Sequence, residues 1–207
     1  MKITDIEAIV VRQDKVKMIG DGSQDTVVVL VHTDEGITGI GEVDSAPEVV
    51  KAIIEAPASH MQCRGLKDIL VGEDPLNVEY LWHKMYYYSY YYTRRSVGIH
   101  AMSGIDIALW DIAGKKLGVP ISRLIGGRFR ETIPAYCSVL MPETEGEIER
   151  LVEHHKKECN YKGFKFGWGA LGKSEQRDVE LVRACRKAVG PDAKLMIDIG
   201  MAWTDYK

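Results

Sequence analysis

The sequence predicts an α+β domain followed by parallel strand–helix units. Three observations carry the prediction. The first third holds β-branched runs broken by turn residues, "KITDIEAIVVR" (2–12) and "DTVVVLVHTD" (25–34), which read as a small antiparallel sheet. The middle holds a broad apolar stripe at helical spacing. After Arg130, apolar strands and amphipathic helices alternate, the pattern of parallel strands covered by helices, in an open doubly wound sheet or a barrel. At 207 residues the chain can bury a proper core, in one large domain or two small ones.

"GITGIGE" (36–42) reads as a short third strand, and the turn signal "DEG" (34–36) makes it a hairpin with the second. The connection "QDKVKMIGDGSQ" (13–24) is polar and long for a hairpin, and long loops are more often functional than short ones. From Pro47 the period becomes helical, breaks at Pro57 and resumes over 77–95. That helix carries six tyrosines within residues 86–92, followed by Arg94 and Arg95. Without a wider basic field, they predict packing between two surfaces, such as an interface in a homo-oligomer, in preference to base stacking.

"GIHAMSGIDIALWDIAGKKLGVPISRLIGG" (98–127) is the strongest helical segment, with Ala101, Ile105, Ala108, Leu109, Ile112 and Ala113 on one stripe. Lys115 and Lys116, then Gly118 and Pro120, give its stop. Asp106 and Asp111 fall off the stripe and read as buried Asp–Arg or capping residues, in preference to catalytic ones. Strands are predicted at 132–141, 163–166 and 193–199, with helices at 145–159 and 175–189.

A net charge of −3 gives no electrostatic reason to expect nucleic acid or an anionic membrane as partner. No apolar run approaches the roughly 20 residues of a membrane span. "MKITDIEAIVV" carries Asp5 and Glu7 and no cleavage-site pattern, so it does not read as a signal peptide. Cys63, Cys137, Cys159 and Cys185 are far apart with no C-x-x-C, which speaks against a zinc site or disulfide framework and suits a reducing cytoplasm. All four read as buried, unreactive thiols.

"YKGFKFGWGALGK" (161–173) contains a literal G-x-G-x-x-G at Gly167, Gly169 and Gly172. In a dinucleotide turn the third glycine opens the helix, so that pyrophosphate meets the helix N-terminus. Here the apolar spacing starts the helix near Ser174, a plausible N-cap, and leaves all three glycines in a loop. Asp198, at the end of the next strand, falls well beyond the roughly 20-residue spacing of a ribose-binding acid. Strand alternation offers more. It puts Gly163, Lys165 and Gly167 on one face and Phe164 and Phe166 on the other, and sets Met196, Asp198 and Gly200 together. Lys165 and Asp198 would then point inward at the carboxyl end, where barrel active sites sit, or neutralise each other as an ion pair.

Four segments in order resemble the enolase superfamily, in its mandelate racemase-like branch. They are "DEGITGIGE" (34–42), "SGIDIALWDIAGKKLGVPISRLIGG" (103–127), "KFGWG" (165–169) and "KLMIDIGMAWT" (194–204). The resemblance implies an α+β capping domain over 1–130, then the first three units of a (β/α) barrel, TIM-like, over 131–207. It makes Asp198 the first of three Mg²⁺-binding carboxylates and Lys165 the first lysine of a K-x-K, near the substrate carboxylate. Gly20, Asp21 and Ser23, with Asp44 and Tyr136, are the implied substrate-binding residues, the first four on loops that close over the barrel mouth. The implied chemistry removes the proton α to the carboxylate of a small-molecule substrate, with Mg²⁺ stabilising the enediolate.

Two departures narrow that expectation. The second lysine of K-x-K, the usual base on its face, is Gly167 here, which disfavours a two-base racemase. Loss of a β-hydroxyl, as in acid-sugar dehydratases, fits better; a racemase, epimerase, cycloisomerase or non-catalytic assembly module are the alternatives. Position 200, where asparagine is common, is glycine. Residues 131–207 also fall far short of the roughly 200–250 that a full barrel takes. The expectation is therefore a fragment or truncated product, inactive alone, with an exposed edge strand and with the general base and two metal carboxylates elsewhere.

Overall fold

The computed structural model describes residues 1–159 and 161–203. Thr204, the end of the last resembling segment, and the end of the second expected domain at Lys207 lie outside the described residues. The chain divides into two compact units, Met1–Lys17 with Gly22–Phe129, and Met18–Asp21 with Arg130–Lys207.

In the first unit, β1 (Ile3–Arg12), β2 (Asp25–Thr33) and β3 (Thr38–Val43) form an antiparallel sheet in the order β1-β2-β3. Register sets Ala8 beside Val29 and Val29 beside Gly41. Period-two alternation puts Ile6, Ala8, Val27, Val29 and Val31 on one buried face. Helices α1 (Pro47–Glu55), α2 (Leu66–Leu70), α3 (Val78–Ser89), α4 (Val97–Leu117) and α5 (Ile121–Leu124) follow. Ile54, Leu66, Leu81, Met85, Ile105 and Leu109 close the core over that face.

Helix α4 touches the sheet through backbone. A Cβ on Gly41 would stand 1.9 Å from the carbonyl oxygen of Gly104, and one on Gly39 2.1 Å from that of Ala108. The glycines of "GITGIGE" thus let α4 lie directly on edge strand β3. Asp111 completes the contact: its carboxylate accepts from the Ile40 amide at 2.9 Å and from Lys115 Nζ at 2.6 Å. The partner is a lysine four residues on, not the buried arginine or the cap expected, and the carboxylate covers a donor on the sheet edge. Asp106 is half-buried, and burial, with the charge of Glu79, pushes its carboxyl up. Gly118, left-handed at φ 67°, ends α4 where the sequence placed the stop.

In the second unit, β4 (Cys137–Leu140), α6 (Glu145–Cys159), β5 (Gly163–Gly167), α7 (Glu175–Val189) and β6 (Lys194–Asp198) alternate. The strands are parallel in the order β4-β5-β6. Phe164 and Phe166 are fully buried with Ile148 and Val152 of α6 and Leu181 and Cys185 of α7.

Three expectations need correction. The strand predicted at 132–141 is only Cys137–Leu140; its exposed start contains Pro134, which has no amide hydrogen to give a ladder. The tyrosine helix ends at Ser89. There the chain turns so that Thr93 packs against Gly98, where a Cβ would stand 1.6 Å from Thr93 Oγ1. Within this chain Tyr88 packs against the core, while Tyr86, Tyr87, Tyr90, Tyr91 and Tyr92 are exposed. The cysteines are not uniformly buried, since Cys137 and Cys185 are, Cys63 is partly so and Cys159 is exposed. Burial pushes the Cys185 thiol up to about 12. Titration of the native protein with a thiol reagent at pH 8 should therefore modify Cys159 first and leave Cys185 untouched until unfolding. Rapid labelling of Cys185 would contradict the packing described.

Candidate active site

The parallel register brings the carboxyl ends of three strands level, with Leu140 beside Gly167 and Gly167 beside Asp198. With Phe164 and Phe166 committed to the core, Gly163, Lys165 and Gly167 take the other face of β5. Lys165 Nζ donates to Asp198 Oδ2 at 3.1 Å, and the two side chains are 30% and 37% exposed. The pair is thus reachable from solvent and held by two adjacent strands.

Asp198 is built to stay ionised. Its Oδ1 accepts from the Gly200 amide at 3.0 Å. That amide first, then the Lys165 ammonium, holds its carboxyl below the usual carboxylate range, against a smaller effect of burial. The negative charge, and the ion pair with it, is present at neutral pH and lost only as pH falls through that lowered value.

The loop after β5 locks onto the site. Met141 N–H donates to Gly167 O at 2.8 Å, Ala170 N–H to Met141 O at 3.1 Å and Trp168 N–H to Asp198 O at 3.1 Å. These amides are spent locally, so the glycine-rich stretch is no phosphate cradle. Gly167 is the last residue of β5, not part of the loop. A Cβ there would stand 2.6 Å from Asp198 Cβ and 2.8 Å from Asp198 O. A lysine at 167 would displace the aspartate. Ser174 caps α7 as expected, its Oγ accepting from Arg177 N–H at 3.3 Å.

Sequence reasoning missed Asp178. It is buried, and both carboxylate oxygens accept from Gly172 N–H at 3.0 Å, while Oδ2 also accepts from Trp203 Nε1 at 2.6 Å. It ties the loop after β5 to the segment after β6. Its only local signal is an acid in the first turn of α7, which reads as a helix-dipole residue. A cavity of about 600 Å³ beside it is lined by Val179, Val182, Ala202 and Trp203, with the Asp178 carboxylate already spent.

The other expected site residues fall in both units. Gly20 lies against Trp168, and Asp21 follows it in the same tip of the second unit. Ser23 and Asp44 line a cavity of about 400 Å³ in the first unit, with Arg12, Gly22, Gln24 and Glu42. Tyr136 is not brought to the Lys165–Asp198 end. It precedes β4 and lies alongside Gly163, about 13 Å of strand away, because the ladder begins at Cys137.

Mg²⁺ takes oxygen ligands, and the ionised Asp198, already facing the Lys165 cation through Oδ2, fits as one of them. Among the described residues no group of three or more His, Cys, Asp or Glu is placed to hold a metal ion. Among them, too, no helix is long and apolar enough to cross a membrane.

Known proteins resemble the chain over nearly its whole length. Residues 6–126 match the family described as mandelate racemase / muconate lactonizing enzyme, N-terminal domain, and residues 146–206 that described as enolase C-terminal domain-like. The chain is 33% identical to arabinonate dehydratase of Saccharolobus solfataricus, over 91% of this chain and 49% of that protein. Its fold superposes on the 3,6-anhydro-D-galactonate cycloisomerase of Zobellia galactanivorans with a TM-score of 0.79 at 32% identity, over 99% of this chain and 52% of that one. A racemase of Streptomyces coelicolor A3(2) with bound magnesium shares the fold, with a TM-score of 0.82 at 23% identity over 98% of this chain and 56% of that one. The chain spans about half the length of the curated relatives it matches. It belongs to the enolase superfamily, in the mandelate racemase and muconate lactonizing enzyme branch.

Proposed function

We propose that the full-length protein is a Mg²⁺-dependent dehydratase of a sugar acid. The observation that carries this reading is the solvent-reachable Lys165–Asp198 pair at the carboxyl ends of β5 and β6. The name of the arabinonate dehydratase relative supports the substrate class. In the reaction the α C–H proton goes to a base, the β C–OH bond breaks and water leaves, and the resulting enol becomes a 2-keto acid. When bound at Asp198, Mg²⁺ supplies positive charge for the substrate carboxylate, where charge collects as the proton leaves. Lys165 holds a second positive charge beside it, preorganised by its bond to Asp198.

A second role for Lys165 is that of the base, since position 167, where the second lysine of K-x-K would stand, is glycine. With Lys165 as the base, the cycloisomerase and racemase chemistry in relatives' names is the alternative.

The test supplies the full-length protein with Mg²⁺ and a panel of aldonic and aldaric acids, reading 2-keto acid formation. Turnover of at least one is expected, and dehydration of none would sink the proposal. Lys165→Arg separates the two roles, because arginine keeps the charge but cannot be deprotonated. Partial activity supports the electrostatic role, and complete loss supports the base.

A further inference from the structure

Trp168 has a backbone that an indole residue rarely adopts, left-handed at φ 54°. Such outliers persist where the surroundings over-determine them, and they gather at functional sites. Its surroundings are specific. Its amide donates to Asp198 O at 3.1 Å, which fixes the residue to the end of β6. Two glycines abut its ring. A Cβ on Gly200 would stand 2.9 Å from Cδ2, and a Cβ on Gly20 3.0 Å from Cε3. Gly200 is the residue whose Cα lies next but one to Asp198. Gly20 is remote in sequence, in the loop between β1 and β2.

That loop has a pinned neck and a separate tip. Gln24 is buried; its Oε1 accepts from Lys17 N–H at 2.6 Å and its Nε2 donates to Lys17 O at 2.9 Å. Beyond the neck, Met18–Asp21 group with the residues of the second unit, and Met18 is 99% exposed. So burial of Met18 does not hold the tip, and its other large side chain, Ile19, is 51% exposed. What it presents to the indole is a glycine, which allows close approach.

We propose that Trp168 is a positioning residue: its indole is the seat of the Met18–Asp21 tip, and holds that tip at the Lys165–Asp198 end of the sheet. The seat works by shape. Without a Cβ at position 20 the backbone comes close to the ring, and Gly200 leaves the ring room beside Asp198. Trp168 thereby links the segment that a substrate must pass to the two charges that would receive it. The link to substrate rests on the dehydratase reading; the seating does not.

The test uses trypsin, since Lys17 immediately precedes the tip. Proteolysis of a native protein follows the population of the open form, so loss of the seat should speed cleavage after Lys17 about tenfold. Trp168→Ala and Gly20→Val should each do so, and Trp168→Phe, which keeps an aromatic surface, should stay near the wild-type rate. The double variant should be cleaved no faster than either single one, because both remove the same contact. Unchanged cleavage in folded Trp168→Ala, or additive effects in the double variant, would overturn the proposal. Should Trp168→Ala fail to fold, Gly20→Val against Trp168→Phe decides it in the same way. With a substrate in hand, the full-length Trp168→Ala enzyme should show a KM raised about tenfold with kcat changed much less. A normal KM with loosened cleavage would refute the substrate link and leave the seating intact, whereas absence of any turnover in wild type would fault the dehydratase reading alone.

Discussion

Asp198→Asn is expected to lower kcat/KM of the full-length enzyme by about a thousandfold or more, the scale on which removing one preorganised charge contact acts. The substitution is nearly isosteric, and the amide oxygen can still accept from Gly200 N–H, so the turn at 199–200 is kept. What disappears is the negative charge. A neutral amide is a poor ligand for Mg²⁺, and Lys165 loses the partner that fixes its ammonium at 3.1 Å. Because both side chains are about a third exposed, solvent replaces that partner and the melting temperature should move by no more than a few degrees. The measurements are steady-state kinetics and calorimetric titration with Mg²⁺, set beside thermal unfolding. The pH profile gives an independent check. Hydrogen bonds from the Gly200 amide and Lys165 hold Asp198 below the ordinary carboxylate range, so any acid limb due to it should lie on the acid side of that range. Unimpaired turnover in the variant would remove Asp198 from the mechanism.

Much of this arrangement was legible in the sequence because it depends on period and on local caps. The three strands of the first sheet, the long helix with its Gly118 stop, and the strand–helix alternation after Arg130 all follow from spacing that one segment carries by itself. Lys165 and Asp198 were found the same way, as charges at strand ends among apolar neighbours. What escaped depends on partners remote in sequence. Asp178 looks like any acid in a first helical turn, until Gly172 and Trp203 arrive from two other segments to use it. Tyr136 was drawn into a strand that parallel pairing begins one residue later. The tyrosine run looked like a continuous helix because nothing local announces that Thr93 must close on Gly98. The meaning of Gly167 was half legible: the missing lysine can be read from sequence, but the reason that none fits there is the packing of Asp198 against it.

Gly41→Val should destabilise the protein by at least about 3 kcal/mol, even though valine is a far better strand residue than glycine. Two effects favour the substitution. Strand propensity spans about 1 kcal/mol in total, and a side chain restricts the unfolded chain by a similar amount. One effect opposes both, and it is steric. The first new carbon would stand 1.9 Å from Gly104 O, 2.9 Å from Gly104 C and 3.2 Å from Ala108 N, all of them helix backbone. No rotamer relieves a clash at Cβ, and a helical carbonyl cannot swing aside without breaking its own hydrogen bond. Helix α4 must therefore lift from β3. Lifting it opens the packing of Ile105, Leu109 and Val29 and pulls Asp111 from the Ile40 amide. Each of these losses adds to the strain. Gly146→Ala serves as the control, since a Cβ there in α6 would meet only the flexible end of Arg150 at 3.5 Å. That change should be neutral or stabilise by up to about 1 kcal/mol, as alanine for glycine does in a helix. Urea unfolding followed by circular dichroism separates the two. A midpoint for Gly41→Val equal to that of wild type would mean that α4 does not rest on β3 through backbone, and that the glycines of "GITGIGE" are turn residues only.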